Sequence, residues 1–180
     1  MSQDLKAILR EMDVLWQNFM ICRAHFPAVD DTTIGHTEVK TAPFYEKYGL
    51  EIYFSFGEPL TKDRQSKIND IGHWINQNFV IRLYALLESH HVLSKEINID
   101  FKIDGSDDVD LIRRLRNYFA HSSGKYDPSN YRHVETLEKM GEYLDKEIQG
   151  IQDFPLPINT LLEPLFNGCK RYVEAKFKAA

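Results

Sequence analysis

A chain of 180 residues with 43% hydrophobic and 27% charged residues is long and apolar enough for one folded core, and its make-up is far from that of a disordered chain. A formal net charge of −5 excludes a protein held to nucleic acid by broad electrostatic attraction, so any contact with phosphate must be local. No apolar run approaches the roughly 20 residues that cross a bilayer, and Met1-Ser2-Gln3-Asp4-Leu5-Lys6 lacks a basic stretch followed by an apolar one. The expectation is a single cytoplasmic domain over residues 1–180, with no membrane partner.

Leu5, Ile8, Leu9, Met12, Leu15, Trp16, Phe19, Cys22 and Phe26 recur at three- and four-residue spacing and predict an amphipathic helix from Gln3 to Phe26. Pro27 and Asp30-Asp31-Thr32-Thr33 end it. After an irregular stretch, Leu50, Ile52, Phe54 and Phe56 alternate with polar neighbours as in a strand. A long helix is predicted from Thr61 or Asp63 to Ser94. Ile68, Ile71, Ile75, Phe79, Leu83 and Leu86 form its stripe, widened by Val80, Ile81, Tyr84 and Leu87.

Ile97, Ile99, Phe101 and Ile103 alternate with Asn98, Asp100 and Lys102 and predict a second strand, paired with the first. Ser106 and Asp107 offer an N-cap to a third helix, with Asp108 and Asp110 placing negative charge in its first turn. Its apolar face is Leu111, Ile112, Leu115, Tyr118 and Phe119, and Ser122-Ser123-Gly124 supplies the stop. Asp127-Pro128 reads as cap and first position of a fourth helix to Gln149, with Val134, Leu137, Met140, Leu144 and Ile148 inward. Pro155 and Pro157 break the chain. A fifth helix from Thr160 to Phe177 buries Leu162, Leu165, Phe166, Cys169, Tyr172 and Val173, with Pro164 tolerated in its first turn. The fold expected is therefore mainly α, a bundle of about five helices with a small two-stranded β appendage. Cys22 and Cys169, the only cysteines, fall on apolar stripes and read as buried packing thiols.

Chemistry concentrates in Arg113-Arg114-Leu115-Arg116-Asn117-Tyr118-Phe119-Ala120-His121. At 100° per residue Arg114, Asn117 and His121 share one helix face, whereas Arg116 lies about 140° from His121. Arg116 reaches His121 only by wrapping round, by distortion of the helix, or across a subunit boundary. Guanidinium groups neutralise a phosphate bidentately and an imidazole moves a proton to or from a hydroxyl, so the set suits phosphoryl transfer without a metal or other cofactor.

Arg116-Asn117-Tyr118-Phe119-Ala120-His121 resembles the signature of the HEPN superfamily: an arginine, usually followed by a polar residue, and a histidine with four to six residues between, late in a bundle helix; here four intervene. Arg114 satisfies the looser spacing. The resemblance implies a homodimer in which two motifs face one cleft. In many members it also implies a metal-independent endoribonuclease of toxin, defence or stress systems, with an antitoxin or neighbouring protein as further partner. It assigns His121 as general acid or base, Arg116 as phosphate ligand and Asn117 as the group that orients either. Arg114 and Arg113 would help bind single-stranded RNA. One subgroup carries a tyrosine two residues after the histidine; here that position is Ser123 and the nearest tyrosine is Tyr126.

Other readings of these residues stay open. The arginines can complement the negative end of the helix, with Asp110 pairing Arg114 and His121 capping it. A HEPN-like dimer can also hold nucleotide, RNA or a partner protein without cutting. His90-His91 read as solvated histidines with no metal site, and Arg23-Ala24-His25 and Arg132-His133 as surface pairs. Arg82 and Glu88 either support the motif helix or lie on an exposed edge.

Overall fold

A computed structural model describes residues 3–40, 43–93, 97–122, 125–146, 148 and 156–179. The predicted stops at Ser94, at Ser123-Gly124, at Gln149 and at Pro155 lie outside these residues. Among them the chain is mainly α, with five α-helices and one two-stranded antiparallel sheet. It forms two compact units, one of residues 16–76 and one of residues 1–15 with 77–180. No helix among the described residues is long and apolar enough to cross a membrane.

In the unit of residues 16–76, the helix α1 (Gln3–His25) buries Trp16, Phe19, Met20 and Ala24. The stripe thus continues past Phe19 through Met20, Arg23 and Ala24, whereas Cys22 and Phe26 are exposed. A face of 3.6-residue period drifts off any fixed chain of three- and four-residue steps, and this corrects the reading of Cys22 as a packing thiol. Arg23, read as a surface residue, is also buried. Its guanidinium donates to the Phe26 carbonyl and sits by Tyr45, and burial lowers its pKa.

The sheet pairs β1 (Glu38–Lys40) with β2 (Tyr53–Ser55), Val39 opposite Phe54. β2 falls within the predicted 50–56 strand, where the alternation of half-buried and exposed residues holds from Leu50 to Phe56. Its partner is not the 97–103 segment. There the Asp100 side chain accepts from Lys102 N at 3.0 Å, its carbonyl accepts from Ile103 N, and Gly105 follows at φ +83°, so the chain turns. The alternating side chains come from this turn: Ile99 is buried and Phe101 is exposed.

In the first half of α2 (Lys62–Ser89) the predicted stripe holds only in part: Ile68 and Ile75 are half-buried and Ile71 is exposed, while Gln65 is buried. Gln65, with half-buried Asn69, is turned inward because it fastens the loop after α1. Gln65 Nε2 and Asn69 Nδ2 donate to Val29 O at 3.1 and 2.9 Å, and Val29 N donates back to Asn69.

In the other unit the predicted faces hold. α2 contributes buried Phe79, Val80, Leu83, Tyr84 and Leu87. α3 (Ser106–Ser122) buries Leu111, Ile112, Leu115, Tyr118 and Phe119, and packs on α4 (Tyr131–Tyr143) and α5 (Glu163–Ala179). A π-helical turn, Ile158–Leu162, runs straight into α5, whose buried residues include Leu165, Phe166, Cys169, Tyr172 and Val173. Burial pushes the Cys169 thiol pKa up.

α4 is shorter than expected at both ends. Asp127 spends its carboxylate on Ser129, accepting from its amide at 2.9 Å and its hydroxyl at 2.7 Å, so Asn130 caps the helix instead by accepting from Arg132 N. The far end closes with Asp145 at φ 49° and Lys146 N donating to Gly141 O, a left-handed C-terminal motif.

Candidate active site

The shape of the site follows from where α3 meets α4. A cleft of ≈ 570 Å³ opens there. α3 lines it with Arg113, Arg114, Asn117, Tyr118 and His121, the face given by a 100° step per residue. α4 and its cap supply Asn130, Tyr131, Arg132, His133, Glu135 and Thr136. Three arginines against one glutamate among these residues make the cleft a local positive patch on a chain of net charge −5.

Two of those arginines are anchored from behind. Asp110, almost wholly buried, accepts from Arg113 Nη2 at 2.5 Å and from Arg114 Nε at 2.8 Å, with Lys139 Nζ at 3.2 Å. Burial alone would raise the pKa of Asp110; hydrogen bonds from Arg114 and Arg113 outweigh that and hold it below the ordinary carboxylate range. Arg114 Nη1 also reaches Glu135 at 3.3 Å, and its pKa is raised, first by its hydrogen bond to Asp110. The i to i+4 pairing of Asp110 with Arg114 is therefore present. It leaves each guanidinium with further N–H groups for a ligand, because arginine carries five.

A depressed carboxylate pKa stabilises the fold above the unfolded value, about pH 4, and that stabilisation is lost as pH falls through the lower folded value. Asp110→Asn should accordingly cost about 2 kcal/mol at pH 7. Urea titrations of wild type and variant at pH 7 and pH 3 check this: the gap should narrow at the lower pH, and an equal gap at both would assign it to packing.

The motif residues are brought together only in part. His121 and Asn117 are exposed and line the cleft. Arg116 is half-buried and does not line it. Its Nη1 donates to Asn117 Oδ1 at 3.0 Å, and its guanidinium carbon lies 5.4 Å from the centre of the Tyr84 ring. Burial raises the pKa of Tyr84, and neighbouring Glu88 adds to the shift. Glu88 is half-buried beside Tyr84, whereas Arg82 is exposed.

His133, read from the sequence as half of a surface pair, is buried on the inner face of α4 with Thr136, Leu137 and Met140. The spacing of 133, 136, 137 and 140 is the helical signal that could have placed it inward. Of the histidine pair after α2, His90 Nε2 meets Glu11 at 3.0 Å and His91 is exposed at φ 53°. No group of three or more His, Cys, Asp or Glu among the described residues is placed to hold a metal ion. Compared with protein-family models, with curated proteins and with solved structures, the chain matches none.

Proposed function

We propose that this chain is a metal-independent endoribonuclease of the HEPN type, acting on single-stranded RNA in the cleft between α3 and α4. The observation that carries this reading is the alignment of Arg113, Arg114, Asn117 and His121 along one wall of an open cleft. Guanidinium groups fixed by Asp110 are preorganised to receive a phosphodiester, and an exposed imidazole on the same wall can carry a proton. In the reaction the ribose 2′-oxygen attacks its own phosphorus and the bond to the 5′-oxygen breaks. The 2′-hydroxyl proton is lost and the leaving oxygen gains one, giving a cyclic phosphate and a 5′-hydroxyl. His121 is assigned to one of those two transfers.

Arg116 fits this scheme as a group offered across a two-fold interface, where one copy's arginine serves the other's cleft. A homodimer follows, together with the toxin, defence or stress setting and the restraining antitoxin or neighbour that the resemblance implies. The second reading, a dimer that binds nucleotide, RNA or a protein partner without cutting, is favoured by one observation: Arg116 does not line the cleft of its own chain.

Substrate chemistry separates the two. Purified protein should cut single-stranded RNA in EDTA and leave untouched the same sequence as DNA or with each 2′-hydroxyl methylated, because the attacking oxygen is then missing or blocked. Cleavage of DNA, or loss of RNA cleavage in EDTA, would overturn the chemistry proposed.

A further inference from the structure

His133 is more than nine-tenths buried, yet it borders the cleft. Its Nδ1 accepts the backbone N–H of Asp127 at 3.1 Å. An amide can only donate, so that nitrogen carries no proton and the neutral ring holds its proton on Nε2. The edge-to-face contact with Tyr118, ring centres 4.6 Å apart, fixes the plane of the ring. Nε2 has no hydrogen-bond partner among the described residues and is not sealed inside the protein. The ring therefore holds an oriented donor, with no acceptor among the described residues, on a residue that lines the cleft. Because that nitrogen is open to solvent, water accepts from it in the free protein, and a ligand oxygen can take the place of that water.

We propose that His133 is a second ligand-contacting histidine, whose Nε2–H donates to a non-bridging oxygen of the phosphate held by Arg113 and Arg114. This rests on the reading of the cleft as an RNA site and adds to it a division of labour. His121, exposed at the end of α3, is free to exchange a proton. His133, tied at Nδ1, binds. The acceptor is anionic because the facing wall is cationic, and because an oxygen on phosphate has lone pairs to take both a guanidinium and an imidazole N–H.

The test uses the full chain labelled with ¹⁵N, and reads the imidazole resonances on titration with inorganic phosphate and with a single-stranded RNA methylated at every 2′-hydroxyl. Before addition, His133 should show an unprotonated Nδ1 and a proton on Nε2. Both probes should then move the Nε2–H signal. H133Q, which can present an amide N–H near the Nε2 position, should bind the methylated RNA within about threefold of wild type. H133F, which keeps an aromatic ring and loses both the Nε2–H donor and the acceptor for Asp127 N–H, should bind at least about tenfold more weakly, as for loss of one hydrogen bond to a charged acceptor. The wild-type titration decides the matter even where a variant folds poorly.

If methylated RNA binds while the His133 signal stays still, this role for His133 is overturned and the RNA reading survives. If phosphate moves the signal but RNA neither binds nor, unmethylated, is cut, the contact stands and the RNA reading fails. If neither probe binds, both fall.

Discussion

His121→Ala should lower RNA cleavage by about 10² to 10⁴, the range for loss of a positioned acid or base. The side chain is exposed at the last turn of α3, so its removal empties no part of the core and thermal unfolding should stay within a degree or two of wild type. Arg116→Ala should be comparably damaging, because the charge redistributed over the phosphate in the transition state loses a guanidinium, an effect commonly worth several kcal/mol in a shielded site.

The pair of variants also tests where Arg116 acts. In a two-fold dimer whose clefts each combine one copy's Arg116 with the other's His121, a mixed dimer of the two variants has one cleft with both groups and one with neither. Equal mixing should then restore about a quarter of wild-type activity, since half the dimers are mixed and each has one working cleft. A mixture that remains inert while wild type cuts places Arg116 in the service of its own chain. If wild type and His121→Ala are equally inert on varied RNAs but both bind a nucleotide or a protein, the interaction-module reading replaces the enzyme.

The part of this site legible in the sequence is the part that a single helix fixes. Arg114, Asn117 and His121 share a face by arithmetic, and the cleft wall has that composition. The facing wall was not legible, because Tyr131, Arg132 and His133 reach the cleft only through the packing of α4 on α3. The same division holds for the fold. Helices with a wide apolar face, such as α3 and α5, were readable because burial of that face is what stabilises them. The segments that misled are those in which polar side chains bind backbone. Asp100 turned an apparent strand, Asp127 gave its carboxylate to Ser129 rather than to a helix end, and Gln65 and Asn69 face inward to hold Val29. β1 escaped because three residues with one buried side chain, Val39, carry too little pattern.

The largest loss of stability is expected at the crossing of α3 and α5, where two glycines let the backbones approach. Gly105, just before α3, sits at φ +83°, and a Cβ there would lie 2.9 Å from Tyr172 N and well inside contact distance of the Gly168 carbonyl. Gly105→Ala therefore combines a left-handed backbone that side chains disfavour with a collision against backbone atoms, which cannot swing aside. Gly168 is the reciprocal position: its Cβ would overlap Asp108, with only 2.5 Å to that residue's Cβ. Asp108 has little room to yield, because it accepts from the Tyr143 hydroxyl at 2.7 Å and from Arg171 Nη2 at 3.3 Å. Overpacking of this kind costs about 1 to 3 kcal/mol, and the strained φ adds about 1 more at Gly105. Against a total stability on the order of 5 to 15 kcal/mol, Gly105→Ala should lower Tm by roughly 10 °C and Gly168→Ala by about half that. Gly57→Ala is the control, with nothing within 4 Å of the added Cβ and no positive φ, and it should be neutral. Differential scanning calorimetry of the three variants ranks them. If Gly105→Ala melts with Gly57→Ala, the close approach of α3 and α5 is not what these glycines provide.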